Sequence, residues 1–355
     1  MKTLSLLALS LFLWSAGYAQ TSRRESANSY MARGHDWLKK GEVERAIEDF
    51  SFAISFDPTL DQAWFNRGIA RERKGDNEGA LNDYNKALQL NPRHTNAWLN
   101  RGMLWMRQNN AAAGLQDFGQ ALQINPRAAE TWLNRGHAQQ QLGRLDAALA
   151  DFSEAIRLEA ENAEAWGGRG SVHLLKGNLV EALRDLNRAL GLAPRNATAL
   201  TNRGNVWLAQ GDLAKALADF NQAIALDPRK ALARNNRSIV WLHKGNLEQA
   251  LEDVEAALQL NPRLVDAWFH RGVVWLARQN PTQAAADFTQ ALQLAPQLTE
   301  ASCSRAVAYL LLDQIEAAER DYARCQELGG TLKPEAERML RAARQKRKPT
   351  ARNPD

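Results

Sequence analysis

The sequence repeats itself every 34 residues over most of its 355-residue length. Glycine returns at this interval or at a multiple of it: Gly34, Gly68, Gly102, Gly136, Gly170, Gly204 and Gly272. Two alanine series that begin at Ala46 and Ala53 keep the same step, as does a proline series that begins at Pro58. A fixed period of about 20 to 50 residues is the signature of stacked structural units that bury their apolar faces against their neighbours. The period therefore predicts one elongated array instead of two or three separate globules.

Each unit has the pattern of a helix, a turn and a second helix. In residues 61–94, three residues lie on one stripe of the first helix and three on a stripe of the second: Trp64, Gly68 and Arg71, then Ala80, Tyr84 and Ala87. The spacing of three and four is that of one helix face. Gly75, between the two stripes, is typical of a residue that ends a helix, and Pro92 is expected to end the second helix.

The offsets of Trp, Gly, Ala and Pro within the period resemble those of the tetratricopeptide repeat. The resemblance implies an all-α, right-handed α-α superhelix of about nine helical hairpins over residues 27–332, followed by a capping helix at 333–346. The predicted repeats are 27–60, 61–94, 95–128, 129–162, 163–196, 197–230, 231–264, 265–298 and 299–332. Some repeats depart from the pattern: Asn109 replaces a turn glycine, and Arg234 and Ser238 replace a Trp and a Gly.

Arginine and aspartate each recur nine times, sixteen residues apart. The arginines are Arg33, Arg67, Arg101, Arg135, Arg169, Arg203, Arg237, Arg271 and Arg305; the aspartates are Asp49, Asp83, Asp117, Asp151, Asp185, Asp219, Asp253, Asp287 and Asp321. Both series lie on the predicted packing side, where an unpaired charge costs several kcal/mol. We expect the two series to pair, within one hairpin or between neighbours. The alternative is a basic groove for acidic ligands.

Asparagine recurs one residue before the arginine in five repeats: Asn66, Asn100, Asn134, Asn202 and Asn236. At 100° per residue these positions point away from the packed stripe of the first helix. The run resembles the asparagine ladder of the protein O-GlcNAc transferase superhelix, which lines the concave surface and grips the main chain of a ligand. A side-chain amide carries both a donor and an acceptor, as a peptide bond does. Ile239 and Val273 are the candidate apolar contacts on the same face. The alternative to ligand binding is that the asparagines bond only to neighbouring repeats.

Tryptophan occurs eleven times, mostly in two series on the predicted packing stripe, which favours a role in the core over base stacking. The formal charge of +5 is small and both signs are spread along the chain. We therefore expect no nucleic-acid partner. The six histidines have no recurrent Ser or Cys partner, and no phosphate-binding loop or metal-ligand cluster is evident. The sequence predicts no enzyme and no cofactor.

The amino-terminal residues have the pattern of a signal peptide over residues 1–19. Lys2 precedes an apolar run that ends at Trp14, and Ala19 completes a small-residue cleavage pattern. The run is about half the length that spans a bilayer, so no stable membrane span is expected. Export implies a periplasmic or secreted protein, in which Cys303 and Cys325 could form a disulfide. Residues 347–355 are predicted to be a basic, disordered tail.

These features predict an exported scaffold that binds an extended segment of a protein or peptide partner in a concave groove. Two alternatives remain open. The chain could be a structural component of a cell-envelope complex that docks through its convex face or its ends, or its tail could bind an anionic polymer.

Overall fold

The computed structural model describes residues 23–347, with side chains described as far as Gln345. Every regular element in this range is an α-helix, and two compact units divide the chain after Val172. The helices of the first unit are α1 (23–40), α2 (Val43–Phe56), α3 (Asp61–Lys74), α4 (Asn77–Leu90), α5 (Thr95–Arg107), α6 (Ala111–Ile124), α7 (Ala129–Gln141) and α8 (Leu145–Leu158). The border falls within α9 (Ala163–Leu175). The helices of the second unit are α10 (Leu179–Leu192), α11 (Ala197–Ala209), α12 (Leu213–Leu226), α13 (Ala231–His243), α14 (Leu247–Leu260), α15 (Val265–Ala277), α16 (Pro281–Leu294), α17 (Thr299–Leu311), α18 (Ile315–Glu327) and α19 (Pro334–Arg347).

Consecutive helices pack as antiparallel hairpins within each unit, so the predicted all-α tandem-hairpin fold is confirmed. The turn inside a hairpin needs a residue in the left-handed region of the backbone. Gly75 supplies it with φ 89°, whereas Asn109 adopts φ 62° at the corresponding turn of the third repeat. Asparagine tolerates this conformation better than most residues, because its short polar side chain bonds locally. The third repeat therefore keeps the same turn, although asparagine replaces glycine there.

The recurrent glycine of the first helix is required by an aromatic ring on the second helix. A Cβ built on Gly102 would lie 2.6 Å from the ring of Phe118, and one built on Gly68 would lie 2.7 Å from that of Tyr84. Both rings are fully buried. The seventh repeat has Ser238 in place of the glycine and the smaller Val254 in place of the ring. The glycine series thus sets how closely the two helices of a hairpin approach.

The close contact predicts that Gly102→Ala destabilises the first unit. The added methyl group would have to displace the buried Phe118 ring, and overpacking of this kind typically costs about 1 to 3 kcal/mol. Gly119 is a matched control on α6 of the same hairpin, because a Cβ there meets nothing within 4 Å. Gly119→Ala should instead raise stability by about 0.5 to 1 kcal/mol, since alanine is the better helix former. Denaturant unfolding measures both, and equal stabilities of the two variants would contradict this packing.

The tryptophans of residues 23–347 are partly buried, and most of them pack against the buried apolar clusters, in keeping with the predicted role in the core. The Trp64 indole N–H donates to the carbonyl oxygen of Pro58 at 3.0 Å, and the Arg67 guanidinium lies 4.9 Å above its ring. Four further repeats keep both contacts, at Trp98, Trp132, Trp166 and Trp268. Each ring is thus fixed by its own repeat and by the preceding turn. These contacts within the protein account for the tryptophan rings without a role in stacking on nucleic-acid bases.

The last helix packs against the two helices before it. Leu332, Ala336 and Leu340 are buried in a cluster with α17 and α18, and the Tyr322 hydroxyl donates to Glu337 at 2.8 Å. Cys303 of α17 and Cys325 of α18 form a disulfide, which answers the question that their spacing left open. The predicted signal peptide and nearly all of the predicted tail lie outside the described residues.

Candidate protein-interaction surface

Arginine and aspartate pair within one hairpin, as a two-pronged ion pair. The Arg67 Nε and Nη2 atoms donate to the two carboxylate oxygens of Asp83 at 2.9 and 2.8 Å. The same geometry recurs in seven other hairpins, at Arg33, Arg101, Arg135, Arg203, Arg237, Arg271 and Arg305. The predicted pairing is confirmed, and the carboxylate comes from the same repeat. Because each of these cations is paired with a buried carboxylate, they form no open basic groove.

In six repeats the remaining guanidinium nitrogen, Nη1, links the repeat to the one before it. Arg67 Nη1 donates to the Ser51 hydroxyl at 3.1 Å, and Arg203 Nη1 donates to Asn187 Oδ1 at 2.8 Å. Arg101, Arg169, Arg237 and Arg305 make the equivalent bond to Asn85, Ser153, Asn221 and Thr289. Sequence reasoning missed this series. The acceptors share only an oxygen atom and a 34-residue spacing, and not a residue type.

The predicted asparagine clamps of the first unit are partly used inside the protein. Asn66 is only 3% exposed, and its amide lies 3.0 Å from His35 Nε2 and accepts from Gln62. The prediction that it points away from the packed side is therefore wrong, because the preceding repeat covers it. Asn134 donates to the carbonyl oxygen of Glu130 in its own helix at 2.9 Å, and Asn100 lies near the Tyr84 hydroxyl, which donates to Glu72. A ligand would have to compete with these bonds.

The second unit brings three of the predicted site residues into one cleft. We call it the amide cleft; its volume is about 500 Å³, and it is lined by Thr201, Asn202, Asn205, Leu208, Ala209, Leu232, Asn236, Ile239 and Asp266. Asn236 donates to Asn205 Oδ1 at 2.7 Å and accepts from Asn235 at 3.0 Å, so both ends of its amide are engaged. Asn202 makes no hydrogen bond with its side chain to any described residue. Among the asparagines that line this cleft, it is the one whose amide is not already hydrogen-bonded to a described residue.

Val273 lies in a second, mostly apolar cleft further along the same unit. This apolar cleft has a volume of about 820 Å³ and is bounded by α15, α17 and α19. Phe269, Val307 and Met339 line it with Val273, and the Cys303 end of the disulfide forms part of its wall. Burial of one valine- or leucine-sized side chain stabilises by about 1.5 to 3 kcal/mol, so such a cleft can hold an apolar side chain of a partner. Ile239 lines the amide cleft and not this one.

A polar network adjoins the amide cleft. His270 Nδ1 lies 2.9 Å from Asn235 Oδ1, and Asn235 in turn donates to Asn236. Burial lowers the pKa of His270, while the Asp266 carboxylate opposes that shift. A neutral ring that donates from Nδ1 fits this network. The network extends over three consecutive repeats and holds Asn236 and Asn205 in place beside Asn202.

The clefts include functional candidates that the repeat pattern did not reveal. Leu232 is nearly half-exposed in the amide cleft, and Asp266 gives that cleft a negative charge. Glu300 and Glu335 lie at the apolar cleft with a single cation, Lys333. Among residues 23–347 no group of three or more His, Cys, Asp or Glu side chains could hold a metal ion. What the arrangement offers is hydrogen bonds, apolar contact and negative charge.

An all-helical array of hairpins with such clefts defines a helical-repeat scaffold. A family model described as the Cilia and flagella-associated protein 70 C-terminal domain matches residues 24–266, and a model described as Tetratricopeptide repeat matches residues 242–299. The chain belongs to the tetratricopeptide-repeat family. Proteins of this family are generally non-catalytic scaffolds for protein–protein interaction, and no family of enzymes matched.

Solved structures show the same fold at low sequence identity. A tetratricopeptide repeat protein from Parabacteroides merdae ATCC 43184 is 19% identical, with a TM-score of 0.53 over 80% of this chain and 99% of that one. A chain of the Cut9-Hcn1 hetero-tetramer of the APC/C is 15% identical, with a TM-score of 0.65 over 89% of this chain and 76% of that one. Pseudomonas aeruginosa PilF is 19% identical, with a TM-score of 0.54 over 61% of this chain and 99% of that one. No curated protein matched the chain. Across residues 23–347, each helix is too short or too polar to cross a bilayer.

Proposed function

We propose that this chain is an exported scaffold that binds an extended segment of a partner protein along the amide and apolar clefts. Asn202 clamps the main chain of that segment, Ile239 contacts it beside the clamp, and Val273 contacts an apolar side chain. The observation that carries this proposal is the available amide of Asn202 in a cleft that also contains Ile239. A side-chain amide can donate to a peptide carbonyl and accept from a peptide N–H at the same time.

The expected affinity is modest. One hydrogen bond contributes about 1 kcal/mol net, so a single amide cannot hold a peptide. An apolar side chain in the neighbouring cleft adds about 1.5 to 3 kcal/mol. Together with further main-chain contacts, these terms suit a complex of micromolar affinity, which corresponds to about 8 kcal/mol. We therefore assign Asn66, Asn134 and Asn236 smaller roles than Asn202, because their amides are already hydrogen-bonded. Asn100 receives a smaller role because it does not line the amide cleft.

Export is supported by the disulfide between Cys303 and Cys325, since such bonds persist mainly in oxidising compartments. Residues 1–19 carry the sequence pattern of a signal peptide but lie outside the described residues. Amino-terminal sequencing of the protein recovered from the producing cell tests this part. We expect the recovered chain to begin at Gln20; a chain recovered from the cytoplasm with Met1 would refute it.

Peptide binding is tested with peptides selected from a displayed library of random 12-residue sequences. Asn202→Ala should weaken the selected peptides about fivefold, the loss that corresponds to one hydrogen bond of about 1 kcal/mol. Val273→Ala should weaken those that carry an apolar anchor by a similar factor or more. Gln222→Ala is the matched control, because it removes an exposed amide from α12 outside the clefts. Unchanged affinity in both cleft variants would instead favour docking through the outer face or the ends of the array.

A further inference from the structure

Both clefts of the second unit include a member of one row of side chains, which stand at the second residue of successive first helices. Asp266 holds this place in α15 and lines the amide cleft. Glu300 holds it in α17, 34 residues later, and lines the apolar cleft. The two preceding members of the row are uncharged, Thr198 in α11 and Leu232 in α13. The row therefore becomes acidic in the repeats that line the clefts with α15 and α17.

Both carboxylates of the row are available to a cation. Asp266 and Glu300 are exposed, and neither side chain makes an ion pair or a hydrogen bond with a residue between 23 and 345. Glu335, the third carboxylate of the clefts, is different, because Arg338 lies 3.3 Å from it. The one ammonium group in the two linings is that of Lys333, which precedes α19. Negative charge therefore prevails at α15 and α17.

The other first-helix residues in the two linings are all uncharged. The first unit differs at one of these places, since Arg73 and Arg107 stand where the second unit has Ala209. Lys230 lies outside both linings, and its ammonium group donates to the Thr198 hydroxyl at 2.8 Å. A basic segment would thus be attracted to this face at α15 and α17, and an acidic segment would be repelled there.

We propose that the segment bound in the clefts is basic, with lysine or arginine side chains that face Asp266 and Glu300 and an apolar residue beside Val273. This inference rests on the proposed function, because it specifies the chemistry of the segment that the clefts bind. The helices α15 and α17 are in contact, so their axes lie about 8 to 10 Å apart. An extended chain advances about 3.3 Å per residue. We therefore expect two basic residues roughly three positions apart.

Stabilisation of the helices alone is the structural alternative for these carboxylates. The first turn of a helix favours a negative charge, because its free N–H groups carry a partial positive charge. Asp266 and Glu300 both lie in such a turn. The place does not require an acid, however, since Thr198 and Leu232 hold it in α11 and α13. The two explanations differ in one measurable respect: helix stabilisation gives no preference for the charge of a bound peptide.

Two displayed libraries of random 12-residue peptides, screened on the purified full chain, test the proposal. The libraries are identical except that one has lysine and arginine as its only charged residues and the other has aspartate and glutamate. We expect binders to come from the basic library. Asp266→Asn and Glu300→Gln should each weaken a selected basic peptide about two- to fivefold, which is the range for an exposed ion pair. Glu252→Gln is the matched control, because it removes an exposed carboxylate of α14 outside the clefts.

The salt dependence of binding gives a second measurement. Salt screens exposed charges, so the selected peptide should bind the wild-type chain more weakly as sodium chloride rises from roughly 50 to 500 mM. The double variant Asp266→Asn/Glu300→Gln should lose most of this dependence, whereas Glu252→Gln should keep it. Circular dichroism of each variant confirms that the helices are retained.

The outcomes separate this inference from the proposed function. Peptides that require Asn202 and Val273 but come equally from both libraries would refute the basic preference and leave the proposed function intact. A basic peptide that Glu252→Gln weakens as much as the cleft variants do would be bound by overall charge, which also refutes the inference. If no selected peptide depends on Asn202 or Val273, the proposed function fails and this inference fails with it.

Discussion

Replacing Asp83 with alanine is expected to destabilise the first unit more than any other single substitution considered. Arg67 donates two hydrogen bonds to this carboxylate, and Arg71 donates a third at 2.9 Å. The Asp83 side chain is buried, and the two guanidinium groups are mostly buried around it. Removal of one partner from a buried ion pair typically costs about 3 to 5 kcal/mol, because the remaining charge has no compensation. Urea unfolding followed by tryptophan fluorescence measures the loss.

Two controls separate lost charge pairing from lost packing. Glu78→Ala removes an exposed carboxylate from the same helix, α4, and should change stability by less than about 0.5 kcal/mol. The triple variant Arg67→Met/Arg71→Met/Asp83→Leu removes all three charges and should be closer to the wild type than Asp83→Ala, since apolar replacement of a whole charged cluster is often neutral. A triple variant as unstable as the single one would show that the charge pairing is not the source of the effect.

The architecture was predictable because the period constrains it repeatedly. The same contact between Gly102 and Phe118 recurs at Gly34 with Phe50 and at Gly136 with Phe152. Because the same contact recurs in many repeats, one substitution such as Asn109 does not obscure the period. The arginine–aspartate pairing was predictable for a similar reason, since two equal series of opposite charge had to compensate each other in a buried stripe.

The asparagine prediction failed at Asn66 because a helical wheel describes one helix only. Its angle placed Asn66 away from the partner helix of its own hairpin, as it should. The residue that covers it, His35, lies on the first helix of the preceding repeat, 31 residues earlier. Asn236 bonds to Asn205 across the same interval. Contacts between repeats depend on stacking geometry, which a single period does not contain.

The clefts were less predictable than the fold because repeated residues form only a small part of their lining. Leu232 and Asp266 each occur once at their place in the repeat, and Met339 lies in α19, after the last repeat. They line the clefts only together with residues of other helices. A scaffold conserves its spacing residues to keep its shape and varies its surface residues to choose its partner. Variation at otherwise regular positions was the available signal.

The disulfide between Cys303 and Cys325 should hold the last hairpin and, through it, the apolar cleft. The bridge joins α17 to α18 across 22 residues of sequence, and cross-links over loops of this size contribute about 3 kcal/mol by restricting the unfolded chain. Because a repeat array unfolds locally from its ends, the loss on reduction should concentrate in α17, α18 and α19. Their amide hydrogens should exchange roughly 100-fold faster with dithiothreitol, which is the factor that about 3 kcal/mol implies. The exchange of α11 to α14 should be unchanged, and peptides anchored at Val273 should bind more weakly.

The Cys303→Ser/Cys325→Ser variant provides the check. It should exchange like the reduced protein and respond no further to dithiothreitol. Slow exchange in that variant would instead assign the stability of this end to the packing of Leu332 and Leu340 alone.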